Sequence, residues 1–130
     1  MRKLLIPGLF LLISVLLIAA CSAVQTDDPA RAVEAYWQAL VAQDSARISS
    51  LSCKDFEVEA LNTLESFKSV ATTLNNLVCT TDTKSDSSAT VKCGGTIVAS
   101  YGNENLTLNL ADRSYSAVKE GNTWLMCGAQ

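Results

Sequence analysis

The chain has 130 residues, with ten Lys and Arg against thirteen Asp and Glu, and no histidine. The missing imidazole excludes Ser-His-Asp and Cys-His catalysts and histidine-ligated metal sites built from this chain alone. With no basic cluster there is no counterion chemistry for a phosphate backbone, so nucleic acid is not an expected partner.

Behind Arg2 and Lys3 an apolar run covers residues 4–20 and ends in Ala19 and Ala20. A charged start, an apolar middle and small residues before a cleavage point define a secretory signal peptide. The alternative, a membrane-spanning helix, needs about 20 apolar residues. This run has 17 and contains Pro7 and Gly8. Leu17-Ile18-Ala19-Ala20-Cys21 resembles the bacterial lipobox, which implies cleavage before Cys21 and several acyl chains, palmitate among them, on that residue. The expected organisation is a signal peptide over 1–20, a lipidated tether over 21–28 and one domain over 29–130. The domain would sit on the extracytoplasmic side of a bacterial envelope membrane, with the lipid bilayer as partner through acylated Cys21. Loss of the signal leaves eight basic and thirteen acidic residues, a formal charge of −5.

Cys53, Cys79, Cys93 and Cys127 remain once Cys21 is committed to lipid. An even number of thiols in an exported chain predicts two disulfides. Their spacings of 26, 14 and 34 contain no close CxxC pair, which argues against zinc; free buried thiols are the other alternative. No metal and no cofactor are expected.

Asp28 and Pro29 predict a helix start, with Asp28 as N-cap and Pro29 at the first helical position, where its missing donor is harmless. Val33, Trp37, Leu40 and Val41 form one apolar face of a helix over 29–42. Asp44 is the next N-cap, opening a short helix with Ile48 and Leu51 inward. Phe56, Ala60, Leu64, Phe67, Ala71 and Leu74 follow helical steps, predicting a third helix over 54–73, with the β-branched residues near its end able to be extended already.

From Leu77 the period changes to two. Strands are predicted over 77–82 and 89–101, joined by a polar turn, with Val91, Cys93, Ile97 and Tyr101 on one side of the second. Gly94-Gly95 predicts a bulge or bend there. After a turn at Gly102-Asn103-Glu104, Leu106, Leu108 and Leu110 alternate with polar residues. The pattern falters at Ala111-Asp112-Arg113 and resumes at Tyr115, predicting one long, bulged third strand. Thr123 to Cys127 form the last. Helices followed by an antiparallel four-stranded meander define an α+β domain, with the helices packed on one face of a curved sheet.

The opening Pro29-Ala30-Arg31-Ala32-Val33-Glu34-Ala35-Tyr36-Trp37-Gln38-Ala39-Leu40, the helix start at Asp44 and the closing Val118-Lys119-Glu120-Gly121-Asn122-Thr123-Trp124 resemble small bacterial lipoproteins of the nuclear-transport-factor-2-like (cystatin-like) superfamily. The resemblance implies a cone, a curved sheet wrapped against a long helix, with a cavity at the wide end. Members range from ketosteroid isomerases and dehydratases to non-catalytic binding modules, so the fold does not choose among them.

In such a meander a turn centred on Asp86 sets Cys79 opposite Cys93. Strands two apart lie about 10 Å apart, too far for a disulfide, whose α-carbons need to be within about 7 Å. Cys79 with Cys93 and Cys53 with Cys127 is therefore the expected pairing. Tyr36, Tyr101, Tyr115 and Asp112 are the candidate cavity-lining residues, Trp37 and Trp124 the core anchors, and Glu57, Glu59 and Glu65 a solvated helix face. The expected function is a membrane-tethered, non-catalytic binding or interaction module for an envelope protein or a small apolar ligand. The alternative is an isomerase- or dehydratase-type enzyme using Asp112 and tyrosines as proton donors.

Overall fold

A computed structural model describes residues 27–130; the expected signal peptide, Cys21 and most of the expected tether lie outside the described residues. Three helices, α1 (Pro29–Val41), α2 (Ser45–Leu51) and α3 (Glu57–Phe67), precede five strands, β1 (Ala71–Lys84), β2 (Ser88–Tyr101), β3 (Glu104–Asn109), β4 (Ser114–Glu120) and β5 (Thr123–Ala129). The strands form one curled antiparallel sheet in the order β1-β2-β4-β5, with β3 paired to β2. This is the expected α+β class. Among the described residues no helix is long and apolar enough to cross a membrane.

The helix starts follow local chemistry. The Asp28 carboxylate accepts from the Ala30 amide at 3.0 Å, ahead of Pro29, and Asp44 accepts from the Arg47 amide at 3.1 Å. Helix α1 ends in a Schellman motif: the Gln43 amide donates to Leu40 O and the Asp44 amide to Ala39 O, both at 3.0 Å. Gln43 takes the left-handed position at φ 55°. Its side-chain amide then reaches across to donate to Phe67 O at 2.8 Å and Val70 O at 3.2 Å.

Those two bonds mark where the third helix stops, short of the expected residue 73. Gln43 shares the carbonyl of the last helical residue, Phe67, with the Val70 amide and takes that of Val70 just beyond the helix, and from Ala71 the chain is extended, with Ala71 opposite Ser100 and Leu74 opposite Ile97. Strand β1 therefore begins six residues before the predicted Leu77. Its inward-facing residues change parity, from Thr72 and Leu74 to Leu77, Cys79 and Thr81. The cause is a bulge. Three steps on β1, Asn75 to Val78, oppose two on β2, Thr96 to Gly94. Asn76 adopts φ 54° and Gly95 φ 106° there, and a Cβ on Gly95 would lie 2.6 Å from Asn75 O.

The third strand is also not continuous. A single 3-10 turn, Leu110–Asp112, splits it into β3 and β4. The Asn109 side chain accepts from the Ala111 amide at 3.1 Å and starts that turn. Both pieces lie on the same edge of β2, β3 beside residues 96–101 and β4 beside 88–92. The expected four tiers thus hold five strands.

Helix α1 crosses β1, β2, β4 and β5. Val33, Tyr36, Leu40, Ile48, Leu64, Val91, Ile97, Trp124 and Met126 fill the space between the layers. Tyr101 departs from its expected inward position. It is 50% exposed at the end of β2, where the two-residue turn Gly102-Asn103 carries the hairpin tip beyond the buried layer.

Candidate functional site

Two disulfides brace the domain, one within the sheet and one between the helical layer and the sheet. Cys79 and Cys93 are directly opposed on β1 and β2, with α-carbons 4.0 Å apart. Cys53, in the α2–α3 connection, joins Cys127 of β5 across 5.2 Å. Beside that second bridge the Cys53 amide donates to Met126 O at 2.8 Å, so the connection runs along the outer edge of β5.

The break between β3 and β4 opens a groove of about 520 Å³. Leu106 and Leu108 of β3 form one wall, Leu110, Asp112 and Arg113 of the turn its floor and rim, and Trp37 of α1 with Tyr115 of β4 the far side. The leucines face inward because they are paired with buried Ala99 and Ile97. Among the described residues no helix covers them, and they remain 52% and 41% exposed. A second cleft of about 360 Å³, bounded by Lys84, Ser88 and Ser116 among others, is polar and holds none of the residues nominated from sequence.

Aromatic packing sets the groove's far side. Trp37 meets Tyr36 and Tyr115 edge-on, at centroid separations of 5.4 and 5.3 Å. Its indole Nε1 is buried without a hydrogen-bond acceptor among the described residues. The Tyr115 hydroxyl donates to Leu110 O at 2.8 Å, tying β4 to the turn and consuming the phenolic proton. Burial raises the Tyr115 pKa above its ordinary value, against the nearby Arg113 charge, which lowers it, and with help from Asp112. Burial, with a smaller contribution from Glu59, pushes Tyr36 up to about 12. Asp112 and Arg113 are exposed at the mouth, and among the described residues neither forms an ion pair.

Of the four residues nominated from sequence, the fold brings Tyr115 and Asp112 together at the groove. Tyr36 lies behind Trp37 in the core, its ring 5.8 Å from that of Phe56, and Tyr101 lines neither cleft. Trp37, expected in the core, is instead half-buried against the groove. The signal was present in the adjacent pair Tyr36-Trp37, because neighbouring helical positions point in different directions and only one takes the centre of the core. The solvated reading of α3 fits Glu59 and Glu65, which are exposed, while Glu57 is half-buried and accepts from the Ser49 hydroxyl.

Fold and groove together define a small disulfide-braced α+β module with a half-open apolar recess. No protein-family model and no curated protein matches the chain. Among solved structures it is similar to a SEC-C motif-containing protein from Rhodopseudomonas palustris, with a TM-score of 0.55 and 9% identity over 80% of this chain and 78% of that one. At that identity the likeness concerns the fold alone.

Proposed function

We propose that the chain is an exported bacterial lipoprotein of the nuclear-transport-factor-2-like kind, held to an envelope membrane by acyl chains on Cys21. Its domain acts there as a non-catalytic binding module, and the groove beside Trp37 receives an apolar ligand or an apolar side chain of an envelope protein. The carrying observation is the consumption of Cys53, Cys79, Cys93 and Cys127 in two bridges. Such bridges persist in oxidising compartments, and they leave Cys21 as the one cysteine for lipid. The groove's chemistry supports binding over the enzyme alternative. A general acid needs a free proton aimed at substrate, whereas the Tyr115 hydroxyl is committed to Leu110 O and Asp112 sits in solvent.

Mass spectrometry of the protein from its native host tests the anchor: the expected product begins at Cys21 and carries acyl mass, and an intact amino terminus overturns the proposal. A fluorescence titration with an apolar naphthalene dye tests the groove. Binding that is lost in Leu108→Asp and kept in Val58→Asp, on the exposed face of α3, is the expected result.

A further inference from the structure

We infer that β3 is a dimerisation strand, through which two copies of the chain pair β3 antiparallel to β3 about a two-fold axis at Thr107. Three observations converge on this second copy.

The first is which edges the fold closes. At Cys79 the outer edge of β1 is covered from α1, where Glu34 accepts from the amide at 2.8 Å and Arg31 donates to the carbonyl at 3.0 Å, and a bulge interrupts that edge between Asn75 and Val78. The outer edge of β5 is met at Met126 by an isolated bridge from Ser52 and the bond from the Cys53 amide. Among the described residues β3 pairs with β2 alone. It also lacks the usual edge defences, since residues 105–109 contain no charge, proline or bulge.

The second is which backbone groups are free. A two-residue hairpin closes on a hydrogen-bonded pair, here Tyr101 with Glu104. Alternation along an antiparallel ladder then makes Leu106 and Leu108 bond to β2 and turns the amides and carbonyls of Asn105 and Thr107 outward. The same alternation along β2 turns the Cys79 groups away from Cys93, as its bonds to Glu34 and Arg31 require.

The third is the sequence, because Asn105-Leu106-Thr107-Leu108-Asn109 reads the same in both directions. An isologous interface needs a self-complementary patch. Pairing about Thr107 sets Thr107 opposite its own copy and Asn105 opposite Asn109 of the second molecule, which aligns the outward-turned groups. Each Leu106 then faces a Leu108 across the axis. The four leucines cover one another on the inner face, and the two grooves meet in one trough. In a chain of net charge −3, an uncharged strand is also where two copies approach without like-charge repulsion.

Light scattering on the full-length chain, disulfides intact and in a large excess of detergent micelles, tests this. Wild type and Val58→Lys are expected to have dimer mass. Thr107→Pro, whose lost amide faces away from β2, and Leu106→Lys, at an exposed position, are expected to weaken the dimer by about tenfold or more with unchanged circular dichroism. Monomeric wild type, a dimer that persists in either β3 variant, or dissociation in Val58→Lys overturns the proposal. Apolar-dye binding in the monomeric variant Thr107→Pro separates failure here from failure of the groove.

Discussion

Glu34 Oε1 accepts a 2.8 Å hydrogen bond from the backbone amide of Cys79. A helix side chain thus holds the edge of the sheet at the residue that carries a cross-strand disulfide. Arg31 takes the carbonyl of the same residue at 3.0 Å and forms an ion pair with Glu34, so both groups that Cys79 turns outward are satisfied from one turn of α1. The Glu34 side chain is 13% exposed, which lets little water replace it. Glu34→Ala is expected to cost about 1–3 kcal/mol, the range for a charge-assisted bond whose buried partner is left open. Glu34→Gln, which keeps an acceptor, should cost less. Urea unfolding with the disulfides intact measures both, and equal loss in the two variants would show that charge, not the bond, matters there.

The two disulfides are expected to contribute unequally. In the loop-entropy description a closed loop of about 15 residues is worth roughly 3 kcal/mol and one of about 75 roughly 4 to 5. The sequence separations are 14 for Cys79–Cys93 and 74 for Cys53–Cys127. The long bridge also ties the helical layer to the last strand. The paired replacement of Cys53 and Cys127 by alanine should lower the urea midpoint more than that of Cys79 and Cys93.

Gly95 sits at φ 106°, where an added Cβ would meet Asn75 O at 2.6 Å and Asn76 O at 2.8 Å. Gly95→Ala therefore strains the backbone and forces the bulge apart, and a loss of about 2 to 4 kcal/mol is expected. Gly121 has φ 61°, and a Cβ added there would have no neighbour within 4 Å. Gly121→Ala should cost only the dihedral penalty, about 1 kcal/mol. Thermal unfolding of the two variants side by side separates the contact from the dihedral.

Alkaline pH should loosen the core through Tyr36. Its folded pKa is pushed to about 12 from an ordinary 10.0, so above pH 10 the unfolded chain releases the phenolic proton while the folded chain keeps it. The unfolded state then binds fewer protons, and stability falls with pH. The stabilisation is complete below pH 10 and is lost as pH rises to about 12, a change of roughly 2 to 3 kcal/mol. Tyr36→Phe should flatten this part of the curve of stability against pH, read by urea unfolding across that interval.

Much of the scaffold is legible in the sequence because it rests on neighbours in the chain. Asp28-Pro29 and Asp44 cap the amides just ahead of them, and alternation along β2 places Val91, Cys93 and Ile97 inward without knowledge of their partners. Counting outward from Asp86 matches Cys79 with Cys93. The candidate site is half legible. Tyr115 and Asp112 flank the irregularity at Ala111 and so reach the groove, whereas Tyr101 keeps its parity but runs beyond the layer that would have covered it.

By itself, the sequence determined where helices begin, which side of β2 faces inward and which cysteines could bond, since each depends on dihedral preferences and short spacings. Only the tertiary structure decided that α3 stops at Phe67 and that residues 71–76 are strand. Ala71 and Leu74 suit either period, and the choice was made by Gln43 taking the carbonyls of Phe67 and Val70 and by the free length of β2 beyond Thr96. The groove was decided in the same way. Whether Leu106 and Leu108 are core or surface depends on what lies over them, and among the described residues no helix does.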